Sequence, residues 1–147
     1  MGRSIIKTIV LGMGLVWFCG SSWAQQANPL PETLKTVTQD IIGGQINAFK
    51  AKDHDRAFGY AAPGIRQMFG TTDQFIKMVR SGYSAIYGAQ NWSFGRGEIK
   101  DDIVVQEVLL TGPAGRDWVA LYTLRKQDDG SWRIAGVQIL PGAAQNT

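Results

Sequence analysis

Cysteine and histidine are almost missing from this 147-residue chain, which has one of each, Cys19 and His54. Cys19 falls in an apolar N-terminal zone, so the rest of the chain has no thiol for a disulfide or a soft metal. One histidine without cysteines forms no cluster of nitrogen and sulfur ligands for a transition metal. The acidic strings Asp101-Asp102 and Asp128-Asp129-Gly130 lack the spaced carboxylates of a calcium loop and read as turns. A Gly-x-Ser-x-Gly elbow is missing, which removes the commonest serine-hydrolase signal. Gly95-Arg96-Gly97 has neither a third glycine nor a following helix to cradle a phosphate. No run of Lys and Arg interleaved with aromatics marks a nucleic-acid surface. The expectation is a domain with no metal, no cofactor and no nucleic-acid partner.

The N-terminal 24 residues show three zones: a basic start with Arg3 and Lys7, an apolar run from Ile9 to Phe18, and a short Gly/Ser segment ending at Ala24. This is the secretory pattern, with Ser22 and Ala24 at the −3 and −1 positions of a cut before Gln25 and the bond after Ala27 as the alternative. The apolar run is shorter than the roughly 20 residues that a membrane-crossing helix needs. Bulky Trp17 and Phe18 stand before Cys19, where lipid attachment calls for small residues. The protein is therefore expected to be exported, to the periplasm or the outside of a bacterium, with no stable membrane span once the signal is cut. The chain's net charge of +3 falls to +1 when Arg3 and Lys7 leave, because all 12 acidic residues stay. A signal peptide over 1–24, a linker over 25–31, one domain over 32–141 and a tail over 142–147 complete the division.

Within the domain, Leu34, Val37, Ile41, Ile42, Ile46, Ala48 and Phe49 recur at helical spacing and predict a helix from Glu32 to about Lys52. Gly43 and Gly44 weaken it by about 1 kcal/mol each. A short helix over Asp55 to Tyr60 and another turn from Pro63 to Phe69 follow. Thr71 and Gln74 make a capping pattern ahead of a stripe of Phe75, Ile76, Val79, Tyr83, Ile86 and Tyr87, which predicts a single helix from Asp73 to about Tyr87. After Gly88 the period changes to that of strands: Trp92 to Lys100, Asp102 to Thr111, Asp117 to Lys126 and Ser131 to Leu140. Helices first and strands after define an α+β fold with the helices packed on one face of a curved antiparallel sheet.

Both faces of these strands carry apolar side chains. One set holds Val104, Val108, Leu110, Trp118, Ala120, Leu124, Trp132 and Ile134; the other holds Ile103, Val105, Leu109, Val119, Leu121, Ala135, Val137 and Ile139. The helices can cover only one of them. The second is a candidate partner surface, and a homodimer through the sheet is expected.

Several strings carry a resemblance: Tyr60-Ala61-Ala62-Pro63-Gly64-Ile65-Arg66 with Phe69-Gly70, then Phe75, Met78-Val79, Gly82-Tyr83 and Tyr87, then Gln106 and Val108, and finally Asp129-Gly130-Ser131-Trp132-Arg133-Ile134-Ala135-Gly136. In this order and spacing they resemble the bacterial domain-of-unknown-function family 4864, itself similar to the nuclear transport factor 2-like superfamily with its cystatin-like fold. The likeness runs from about Val37 to Leu140. It implies a cone of curved sheet wrapped around helices, often with a pocket between them and often dimeric. It implies no activity, since fold alone does not carry one.

The candidate site residues divide by chemistry. His54, flanked by Asp53 and Asp55, is the one imidazole that a general base would use, and His54 and Asp55 are the weak catalytic candidates. The alternating charges of Lys52 to Arg56 equally suit an exposed turn with an aspartate capping the next helix. Gln106 and Gln138 fall among core residues, Tyr122 shares a face with Trp118, and Tyr83 and Tyr87 lie four apart on one helix; these five polar groups with Trp118 are the candidates for lining a cavity. Arg66 is a further candidate, either as an anchor for an acidic ligand or as the partner of a carboxylate. Three functions fit: a non-catalytic domain binding a small, partly apolar molecule or mediating assembly, a cofactor-free isomerase, dehydratase or hydrolase, or an interaction module of the cell envelope.

Overall fold

The structure is a computed structural model that describes residues 28–142. The secretory zones and the cut site before Gln25 lie outside the described residues, as does the tail beyond Gly142. Five helices precede the main sheet: α1 (Glu32–Lys50), α2 (His54–Gly59), α3 (Pro63–Phe69), α4 (Thr72–Gly82) and α5 (Ser84–Tyr87). The strands are β1 (Asn28–Pro29), β2 (Asn91–Lys100), β3 (Ile103–Thr111), β4 (Asp117–Lys126) and β5 (Trp132–Pro141), antiparallel and side by side in chain order. This is the α+β arrangement expected from the period change at Gly88. Part of the expected linker joins the sheet, because Asn28 and Pro29 pair with Ile99 and Glu98 at the edge of β2.

Local chemistry sets the helix boundaries. Asp53 caps α2 by accepting from the Arg56 amide at 3.3 Å, Pro63 opens α3 where its missing N–H costs nothing, and Thr71 caps α4 by accepting from the Gln74 amide at 3.3 Å. The helix expected as continuous from Asp73 to Tyr87 is broken. Gly82 ends α4 and Tyr83 takes a non-helical conformation with φ −133° and ψ 38° before α5 begins. Glycine is a poor helix former, so one turn is easily given up there. Gly44 in α1 has a packing role: a Cβ at that position would run into the Tyr60 hydroxyl.

The acidic strings lie in turns of the sheet, as expected. Asp101 sits at φ +54° in the two-residue β2–β3 turn, a conformation that aspartate tolerates. In the β4–β5 turn Gly130 has φ +84°, and Asp129 accepts from the Ser131 hydroxyl at 2.6 Å and the Ser131 amide at 2.9 Å, which hold its carboxyl below the usual range.

The helices cover one sheet face. Val104, Val108 and Leu110 of β3 and Ala120, Tyr122 and Leu124 of β4 are buried in one core with Ile42, Ile46 and Phe49 of α1, and Gln106 of β3 is buried on the same face. Val105, Leu109 and Leu140 on the other face are exposed. Along β5 the expected division of faces fails after Ile134. Thr123 pairs with Gly136 while Leu124 pairs with Ile134, so Ala135 is an extra residue, a bulge that reverses the alternation. Val137 and Ile139, expected on the outer face, stand opposite Tyr122 and Ala120 on the covered one.

Leu124 is fully buried. Leu124→Ala is expected to cost about 2–5 kcal/mol, as deletion of a packed leucine side chain does. A urea titration checks it: the midpoint should fall with little change in slope.

Candidate functional site

A cleft of about 350 Å³ lies between the helices and the C-terminal half of the sheet. Each bordering element contributes a part: Gln45 and Phe49 from α1, Ile65 and Phe69 from α3, Phe75, Met78 and Val79 from α4, Tyr83 at the α4–α5 break, Ile86 from α5, Tyr122 from β4, and Ile134, Gly136 and Val137 from β5. Ala61 lies in the loop between α2 and α3. The buried members form the floor, while Ile65, Phe69, Met78, Tyr83, Gly136 and Val137 are half-buried and form the rim.

Three hydrogen bonds fix the wall between α3 and the sheet. The Arg133 guanidinium donates to Gly59 O at 2.6 Å, the Ile134 amide donates to Tyr60 O at 2.9 Å, and the Ala62 amide donates to Ile134 O at 2.7 Å. The last two close a parallel bridge between Ala61 and Ile134 on the free edge of β5. The α2–α3 loop is thereby sewn to the sheet edge, and α3 with it is held over the cleft.

Among the described residues the wall is apolar apart from Gln45, Tyr83 and Tyr122 and carries no charged side chain. Gln45, 4% exposed, donates its amide to Ala57 O at 3.2 Å. Tyr122 is wholly buried, its hydroxyl has no hydrogen-bond partner among the described residues, and desolvation pushes the phenol above its usual range, so it stays a neutral donor.

Of the candidates read from the sequence, Tyr83 and Tyr122 line this cleft. The others stand elsewhere. The break at Tyr83 separates it from Tyr87, which packs on Phe49 at 5.7 Å between ring centres and whose hydroxyl lies 3.1 Å from His54 Nε2. His54 is thus engaged in a contact that ties α2 to α5, and Asp55 accepts from the Thr72 hydroxyl at 2.7 Å to tie α2 to α4. Among the described residues Arg66 has no carboxylate partner and does not line the cleft; its guanidinium lies over the Phe58 ring at 5.6 Å. Trp118 shares the covered face with Tyr122 but lies four residues along the strand, about 13 Å away by strand rise. There it packs beside Gly112, under the Arg116 guanidinium at 5.3 Å. Gln138, carried across by the Ala135 bulge, is exposed opposite Leu121.

Gln106 is buried for a structural reason. β2 bulges between Phe94 and Gly97, and the Gln106 amide reaches Gly95 O at 3.1 Å, Arg96 O at 3.2 Å and Glu107 O at 2.9 Å. The two glycines leave room for it: a Cβ on Gly97 would come within 2.7 Å of Gln106 Oε1, and one on Gly95 within 2.7 Å of Glu107 Oε2. Gly95-Arg96-Gly97 is a bulge held by a glutamine.

Gln45 was missed in the sequence. The signal was there, since Thr38, Ile42, Gln45, Ile46 and Phe49 share one helical face, and a polar residue on a buried stripe invites attention.

Fold and cleft together define an α+β fold with an apolar pocket between helices and sheet. Residues 32–147 match the family described as Domain of unknown function (DUF4864), and the chain belongs to that family. Comparisons with curated proteins and with solved structures give no match.

Replacing Gln106 with Leu leaves the bulge carbonyls unpaired. Gln106→Leu is expected to destabilise the fold by about 1–3 kcal/mol, the cost of stranding buried polar groups, measured as a lower guanidinium midpoint.

Proposed function

We propose that this chain is an exported, non-catalytic domain of the nuclear transport factor 2-like type that holds a small apolar molecule in the cleft. One observation carries the reading: an apolar cavity of about 350 Å³ whose wall has three polar side chains and no acid, base or imidazole. This size is at the lower end of the roughly 300–1,000 Å³ typical of small-molecule sites. General acid–base catalysis is the weaker reading, because His54 and Asp55, its two candidates, are committed to contacts between helices outside the cleft. Export rests on the three-zone N-terminus, and among the described residues no helix is long and apolar enough to cross a membrane.

A second reading concerns assembly. Val105, Leu109 and Leu140 are 39%, 44% and 38% exposed on the outer sheet face, with Val119 and Leu121 half-buried among them. A row of aliphatic side chains facing water supports a homodimer through this face. The alternative occupant, another envelope protein, would use the same residues.

Native mass spectrometry of the protein purified gently from its export compartment tests both readings. The expected species is a dimer of subunits beginning at Gln25, each with an added mass of roughly 150–300 daltons, as suits a cavity at the small end of the ligand range. Val137→Trp should fill the cleft and remove that mass while the fold persists by circular dichroism. A bare subunit in every preparation, with no small apolar probe bound on addition, would end the binding reading. Leu121→Glu should give monomers in sedimentation, and an unchanged dimer would move the interface elsewhere.

A further inference from the structure

Resting on the reading of the cleft as a small-molecule site, we propose that it selects uncharged molecules carrying a hydrogen-bond acceptor on an apolar body, such as a ketone, aldehyde or ester, with the Tyr122 hydroxyl as donor. The absence of charge from the wall makes the first part of the argument. A carboxylate or ammonium brought to the floor would meet no counter-ion, and an unpaired charge in an apolar site is strongly disfavoured. The second part is a process of elimination among three polar side chains. The Gln45 amide nitrogen already donates to Ala57 O, so Gln45 presents an acceptor and not a free donor. Tyr83 is half-buried on the rim, where water competes for its hydroxyl. Tyr122 alone is a wholly buried donor on the wall without a partner in the fold.

Buried hydroxyls are as a rule hydrogen-bonded, and one left without a partner lowers stability. The covered face does offer an acceptor nearby. Gln106 stands directly across β3–β4 from Tyr122, and its Oε1 is also buried and unpartnered, but the two form no direct bond. A water bridging them would satisfy Tyr122 without a ligand, and the test below separates that arrangement from ligand recognition. An acceptor-bearing ligand gains about five- to tenfold in affinity from one such bond.

The test uses three probes of matched shape on the exported chain by titration calorimetry: 4-phenylbutan-2-one, butylbenzene and 4-phenylbutanoate. The ketone is expected to bind about five- to tenfold more tightly than the hydrocarbon, and the carboxylate not to bind at neutral pH. Tyr122→Phe should erase the preference for the ketone, leave butylbenzene affinity within about twofold, and raise the thermal midpoint of the ligand-free protein. A residue with only a structural role would not give that combination. Should Tyr122→Phe fail to fold, the infrared carbonyl stretch of the ketone bound to the unaltered protein decides, since a hydrogen bond moves it to lower frequency. Equal binding of ketone and hydrocarbon with an unshifted carbonyl overturns Tyr122 as the donor and leaves the cleft a binding site. Tightest binding by the carboxylate overturns the selection for uncharged molecules. Failure of all three probes to bind removes the cleft as a small-molecule site and the proposal with it.

Discussion

The short seam between the α2–α3 loop and the free edge of β5 holds the two layers in the relation that makes a cleft. Ile134 donates to Tyr60 and accepts from Ala62, and Arg133 reaches Gly59, so one stretch of edge strand satisfies three backbone groups at the α2–α3 connection. An exposed strand edge invites pairing with other chains, and here part of it is occupied from within. The Ala135 bulge lies beside the seam. It brings Val137 onto the covered face, where that side chain becomes part of the cleft, and sends Gln138 outward.

The elements were legible from periodicity, turns and caps to within a few residues, because each rests on local chemistry: Asp53 and Thr71 at helix starts, Pro63 at a first turn, Asp101 and Gly130 in turns. Faces were legible as far as the alternation was regular. A bulge is one residue long and has no strong composition, so nothing in Ile134-Ala135-Gly136 announced that the strand would change sides. The placement of Val137, Ile139 and Gln138 was lost with it. The break at Tyr83 followed the same logic, since a stripe of apolar residues continues across it while the backbone does not.

The site was half legible. Tyr122 and Tyr83 were visible as polar groups among core residues and do line the cleft. Gln106 gave the same signal for a different cause, a bulge in the neighbouring strand, and only the register of β2 on β3 tells the two apart. His54 and Arg66 drew attention by residue type, and each is used up in packing, one against Tyr87 and the other over Phe58. The core thus contains two kinds of buried polar group, those that finish the backbone's hydrogen bonding and those that the fold leaves open. Tyr122 is of the second kind.

In this sheet every strand lies beside its neighbour in sequence, and helices α1 to α5 come before β2. Hairpins of this sort form early because their contacts are close along the chain. The apolar stripe of α1, by contrast, contacts β5 some ninety residues later. During synthesis the helices therefore emerge before any surface on which to rest, and for that interval their core faces are open to solvent. Such a chain is most exposed to aggregation before its last strand arrives, so the order of its elements along the chain sets when its core can close.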